Sequence, residues 1–203
     1  MNPIALTPAD ALIVVDLQND FLPGGSLGVP QGDEVIAPID QLIALYRAHG
    51  LPVYASRDWH PVGHCSFTEQ GGIWPIHCIA DSHGAAFTDA IPLEQLTTVI
   101  SKATTVEKDA YSAFNGTGLG EQMRARGIDR VAVCGLATDY CVLNTARDAL
   151  TEGFATLLVL DAIRAVDVKP GDGALAIAEM QAAGAQPVHL DPLGLRSDVA
   201  LPV

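Results

Sequence analysis

The chain has 203 residues, 49% hydrophobic and only 17% charged. That size and composition suit one α/β domain with a sizeable core and exclude a disordered chain or one that needs disulfide staples. Acidic residues outnumber basic ones 24 to 11, for a net charge of −13, which repels nucleic-acid backbones and anionic membrane surfaces, so neither is an expected partner.

Taken in chain order, ALIVV at 11–15 reads as a fully buried strand ending at Asp16. Its apolar run is far too short for a signal or membrane segment, no basic stretch precedes it, and no other stretch approaches span length. Asp33 is placed to cap a helix whose apolar positions Val35, Ile36, Ile39, Leu42, Ile43 and Tyr46 recur at helical spacing, with Gly50 as its stop. PVYAS at 52–56 is a second strand. From Arg57 to about Pro92 runs a segment rich in His, Gly, Pro and Trp, and loops of this length inside compact domains usually carry function. TTVIS at 97–101 is a third strand, 119–126 a short helix closed by Gly127, and RVAVCG at 130–135 a fourth strand. A helix from about Asp139 to Glu152 stops at Gly153. ATLLVL at 155–160 is the fifth strand, a helix runs from near Pro170 to Gly184, and QPVHL at 186–190 is the last strand. This alternation predicts an α/β fold, a three-layer α/β/α sandwich around a mostly parallel sheet of about six strands, as one domain over residues 1–203. The four cysteines, Cys65, Cys78, Cys134 and Cys141, form no regular framework, so a cytoplasmic protein with reduced thiols is expected.

In open α/β sheets, ligands bind beyond the carboxyl ends of the strands. Asp16 ends the first strand, Asp58 follows the second, Lys102 ends the third, and Cys141 lies just past the fourth in GLATDYCV. The unpaired amides of a helix start and a nearby ammonium favour a thiolate at Cys141 and offer N–H groups to an oxyanion. Singly, such residues are more often a core thiol, a turn aspartate and a surface lysine. Together, an acid, an amine and a thiol on one rim suit nucleophilic attack on a carbonyl.

The long segment supplies Asp58, His60, His64 and His77. Residues i and i+2 of an extended chain point the same way, so Asp58 and His60 face one ion, and His77 arrives from further along. One carboxylate with two imidazoles leaves open positions for water or substrate, and zinc, iron and manganese all suit the set. The rivals are a structural zinc knot built on Cys65 and Cys78, disfavoured because His77 and Cys78 are adjacent, and loop histidines without a metal. Phe21, Trp74 and Tyr111 are loop aromatics that either pack or box a flat ring.

These segments resemble the isochorismatase-like cysteine hydrolase family, through VVDLQNDF, SRDWHPVGHCSF, WPIHC, a lysine upstream of DAYSAF, and GLATDYCV. The DWHP…H…WPIHC segment points to its metal-dependent nicotinamidase (pyrazinamidase) branch. The resemblance implies hydrolysis of nicotinamide, and of pyrazinamide-like analogues, to the acid and ammonia, serving NAD salvage. It implies Asp16, Lys102 and Cys141 as catalytic residues and the N–H groups of Ala137 and Cys141 as oxyanion hole, after a cis peptide preceding Ala137. Phe21, Trp74, Tyr111 and Ala137 would surround the ring. One divalent transition metal ion (Zn, Fe or Mn) would sit on Asp58, His60 and His77 and take the pyridine nitrogen, with His64 a hydrogen-bonding support or a fourth ligand. Of the two lysines before YSAF, the resemblance selects Lys102 over Lys108.

Two other readings stay open. A sister amide hydrolase acting on a carbamoyl or ureido substrate would use the same acid, amine and thiol but would not need Asp58, His60 and His77. A non-catalytic thiol redox or metal-binding module would give Asp16 and Lys102 no reason to stand at the rim. A homo-oligomer is compatible with the sequence, and no segment specifies a protein partner.

Overall fold

The computed structural model describes residues 2–191 and 194–197. Its strands are β1 (Asn2–Pro3), β2 (Asp10–Val15), β3 (Val53–Asp58), β4 (Thr98–Lys102), β5 (Arg130–Leu136), β6 (Ala155–Arg164), β7 (Gln186–Asp191) and β8 (Gly194–Ser197). They form one sheet in the order β1-β8-β7-β6-β5-β2-β3-β4. The six strands from β2 to β7 pair in parallel and match the six apolar runs of the sequence. Among the described residues the count of about six becomes eight, because β8 adds antiparallel to β7 and β1 antiparallel to β8. These two strands are short and carry no buried apolar run, so hydrophobic patterning does not reveal them.

Helices α1 (Ile36–Ala48), α2 (Leu93–Leu96), α3 (Leu119–Ala125), α4 (Leu143–Thr151) and α5 (Asp172–Ala182) connect the strands. Side chains alternate across a strand, and β2 shows it. Leu12 and Val14 join the core under α1 with Ile39, Leu42, Ile43 and Tyr46. Ala11, Ile13 and Val15 join the opposite core with Met123 of α3, Ala146 and Ala149 of α4, and Met180 of α5. Every residue of β2 is buried, so its sequence is a continuous apolar run rather than an alternating one. None of the helices among the described residues is long and apolar enough to cross a membrane.

Asp33 does not cap α1 as expected. Residues Gly32–Val35 form a 3-10 turn, and the helix begins after Val35 without a side-chain cap. Pro38 sits in its first turn, where a missing N–H breaks no helical bond.

Two features place the rim. The chain runs β2, β3, β4 toward one edge and β5, β6, β7 toward the other, so the direction of winding reverses between β2 and β5. Crevices for ligands form at such switch points. Gly135 has φ 113, and a Cβ there would lie 2.0 Å from the Val15 carbonyl oxygen. Only glycine permits that approach, which brings the end of β5 against the end of β2.

Leu42 is fully buried between α1 and the sheet. Leu42→Ala is expected to lower the unfolding free energy by about 2–5 kcal/mol, read by urea titration, with the strand-end rim undisturbed because the cavity lies away from it.

Candidate active site

Three strand ends and one helix start deliver the ionisable groups. Asp16 stands immediately beyond β2, with a left-handed φ of 48 that turns the chain away from the sheet. Asp58 ends β3 and Lys102 ends β4, opposite one another in register. Cys141 lies in a π-helical turn, Thr138–Val142, that leads into α4. The expected helix from Asp139 therefore begins with this wider turn, and the peptide bond before Ala137 is cis.

Lys102 is the hub. Its Nζ lies 2.9 Å from Asp16 Oδ2, 2.5 Å from Asp58 Oδ1 and 3.5 Å from Cys141 Sγ, and it donates to the Ala110 carbonyl at 3.1 Å. Ser56 Oγ donates to the other oxygen of Asp16 at 2.7 Å. All of these side chains are buried. Lys108, by contrast, is exposed. Burial disfavours the Lys102 ammonium, yet Asp16 and Asp58 hold its pKa well above the ordinary lysine value. Burial raises Asp16, and Asp58 adds to this against the opposing pull of Lys102. Burial also pushes the Cys141 thiol up, and Lys102 opposes it without prevailing. The pull of the ammonium toward a thiolate is thus outweighed by desolvation and two nearby carboxylates.

Asp58, His60 and His77 also converge, with ligand atoms within 4.8 Å of one another. His60 Nδ1 lies 3.3 Å from the Ala103 carbonyl oxygen and His77 Nδ1 2.8 Å from that of Pro75. A carbonyl only accepts, so both Nδ1 atoms carry the hydrogen and both Nε2 atoms present lone pairs. Those two Nε2 atoms face each other at 3.3 Å, and Asp58 Oδ2 lies 3.7 Å from the first. Burial, with the neighbouring rings of His77 and His64, lowers His60 to about 3, so its imidazole is neutral. Two lone pairs and a carboxylate turned on one point fit a divalent transition metal ion. Nitrogens bound at ~2.0–2.1 Å to a tetrahedral ion stand ~3.3 Å apart.

His64 is oriented differently. Its ring stacks on His60 at 4.1 Å. Its Nε2 lies 3.2 Å from the Lys108 carbonyl oxygen and its Nδ1 2.8 Å from Ser66 Oγ. Both nitrogens are engaged away from the convergence point, and His64 is outside the cluster of Asp58, His60 and His77. The cysteines of the rival zinc knot do not join it either. All four cysteines are free thiols, and Cys78 is buried in the core under α1.

Both groups open on one pocket, whose lining includes Phe21, Trp74, Tyr111, Ala137, Tyr140 and Cys141 together with Asp58, His60 and His77. Trp74 Nε1 donates to Tyr111 Oη at 2.9 Å, and Tyr140 meets the Trp74 ring edge-on at 4.9 Å. Phe21 lies against His77 with ring centroids 5.8 Å apart. Sequence reasoning missed Tyr140, although it stands beside Cys141 in GLATDYCV. It also missed Ser56, which no pattern distinguishes from any other strand serine.

A doubly wound sheet with an acid, an ammonium and a thiol at its switch point is the architecture of a cysteine-dependent α/β hydrolase. The isochorismatase domain family matches residues 10–191, and the chain belongs to that family. It is 40% identical over 199 residues to a nicotinamidase of Escherichia coli (strain K12), covering 88% of this chain and 93% of that protein. Among solved structures, the pyrazinamidase of Pyrococcus horikoshii in complex with zinc matches with a TM-score of 0.86 and 45% identity, over 90% of this chain and 100% of that one. PnC1 from L. infantum in complex with nicotinate matches with a TM-score of 0.84 and 36% identity, over 92% of this chain and 96% of that one.

Lys102 favours the ionised form of Cys141, so Lys102→Met should slow alkylation of Cys141 by iodoacetamide at neutral pH. Peptide mapping separates this thiol from the half-buried Cys65, whose labelling should not change.

Proposed function

We propose that the protein hydrolyses nicotinamide with one water to nicotinate and ammonia, and accepts pyrazinamide-like analogues. The observation that carries this reading is the shared pocket: a thiol-centred set and a cation site face one aromatic-walled space, bridged by Asp58. A flat heteroaromatic amide has two features to be recognised, a ring nitrogen and a carboxamide, and the pocket has a receptor for each. The similarity to nicotinamidases and to a nicotinate complex supports the same substrate.

The residues act as follows. Asp16, its basicity raised by burial, takes the proton of Cys141 as the sulfur attacks the carboxamide carbon. The N–H groups of Ala137 and Cys141 receive the developing oxyanion. Asp16 passes its proton to the departing nitrogen, which leaves as ammonia, and a thioester remains on Cys141. Asp16 then takes a proton from water as the water attacks the thioester. Nicotinate leaves and the proton returns to the sulfur. Lys102 stays charged throughout and stabilises the carboxylate and the transient thiolate. Phe21, Trp74, Tyr111 and Tyr140 enclose the ring and exclude water. Asp58, His60 and His77 would hold a single divalent ion, and His64 keeps the His60 ring in place by stacking. When bound, that ion supplies an electropositive point that orients the ring nitrogen.

A coupled ammonia-release assay on nicotinamide tests the reading. Cys141→Ala should abolish release while circular dichroism and zinc content stay as in the wild type, and turnover retained by that variant would remove the nucleophile. After dialysis, His60→Ala and His77→Ala should have lost the zinc that His64→Ala keeps, measured by atomic absorption. Zinc retained by His77→Ala would refute the ligand set.

A further inference from the structure

Gln18 follows Asp16 by two residues, and its side chain is fully buried although polar. Its Oε1 accepts the Asp58 N–H at 2.8 Å. Its Nε2 donates to the Asp58 carbonyl at 2.8 Å and to the Ala85 carbonyl at 2.8 Å. The carboxamide therefore grips both main-chain groups of one residue.

The reason lies in the sheet. Pairing of β2 with β3 runs to Val15 opposite Ser56, and Asp16 N donates to the Ser56 carbonyl at 3.1 Å. There the chain turns away, with Asp16 in the left-handed region. Asp58 keeps Lys102 of β4 as its neighbour on one side, but β2 no longer reaches it on the other. A buried N–H and C=O cannot be left unpaired without cost. The Gln18 amide, with donor and acceptor side by side, replaces the missing strand. Asparagine has the same groups but falls a methylene short, and a neutral imidazole sets its donor and acceptor on opposite sides of a ring rather than side by side.

We infer that Gln18 is a positioning residue whose side-chain amide fixes the main chain of Asp58 and so aims its two carboxylate oxygens at different targets. Oδ1 meets Lys102 Nζ at 2.5 Å, while Oδ2 turns to the side of His60 Nε2 at 3.7 Å. Through one carboxylate, Gln18 sets both the affinity of the cation site and the seat of the ammonium beside Cys141. The inference rests on reading Asp58, His60 and His77 as a metal site.

The test uses Zn²⁺ alone, titrated into the chelator-stripped protein against a chromophoric chelator, alongside kcat and KM for nicotinamide. Gln18→Met keeps length and removes all three hydrogen bonds, while Gln18→Glu keeps the acceptor and loses both donors. Both are expected to fold by circular dichroism, to bind zinc ~10–100-fold more weakly and to lose kcat. Gln18→Met should add little in an Asp58→Asn background, because the two act as one unit. Leu42→Ala, destabilised in the core, should bind zinc as the wild type does, which separates positioning from general stability. Unchanged zinc affinity in folded Gln18→Met would overturn the inference. So would full additivity with Asp58→Asn, or failure of both variants to fold, which would make Gln18 part of the scaffold. Wild-type protein that binds zinc but releases no ammonia from nicotinamide would sink the substrate reading and leave the Gln18 comparison standing. Wild-type protein that takes up no zinc would end both.

Discussion

The site is organised by one buried ammonium. Lys102 is fully enclosed, and a lone charge in such a place costs so much that it would shed its proton. It keeps the proton because Asp16 and Asp58 flank it within hydrogen-bonding distance. Removing one partner of a buried pair typically costs ~3–5 kcal/mol, so the three side chains stand or fall together. Their main chains come from the ends of β2, β3 and β4: Asp58 and Lys102 stand opposite in register, and Asp16 follows the last pair of β2 with β3, Val15 with Ser56. The sheet therefore serves the site by aligning three strand termini around one charge.

That arrangement constrains the chemistry. A thiol beside an ammonium is commonly read as a resting thiolate, but here burial and two carboxylates push the thiol up against the pull of Lys102. The burial that raises Cys141 raises Asp16 as well, so acceptor and donor are moved in the same direction. A thiol pushed up in this way is also less open to oxidation by chance encounters in solution.

Much of this was legible in the sequence, for a physical reason. Parallel strands covered on both faces must be continuous apolar runs, so ALIVV and RVAVCG disclose the sheet and the residues at their ends disclose the rim. Asp16 and Lys102 could be placed because each abuts such a run, and Cys141 because it opens the helix that follows one. The strands β1 and β8 could not, since strands of two and four residues bury too little to leave a pattern. The segment from Trp59 to Pro92 shows its importance by its length and histidines, yet its path is set by scattered bridges such as His60 with Ile79 and Phe67 with Trp74. Those pairings have no local sequence signature. Gln18 was hidden for a similar reason: its role depends on where β2 stops pairing with β3, which is a property of register rather than of composition.

The orientation of the imidazoles separates the rival chemistries. A hydrolase acting on a carbamoyl or ureido group needs the acid, amine and thiol, and Asp58 would then be explained as the second counter-ion of Lys102. It would not explain His60 and His77. Each has its Nδ1 tied to a carbonyl, so each is forced to present a lone pair, and the two lone pairs meet at 3.3 Å beside a carboxylate oxygen. Nothing in a metal-free amide hydrolase rewards bringing three electron-rich groups together in a buried space, because the repulsion is unscreened there. A cation turns that repulsion into attraction. Such a cation would share one pocket with Cys141, so a compact ring that carries both a ligand atom and a scissile carbonyl would meet both, whereas an open-chain urea has no ring nitrogen to offer it.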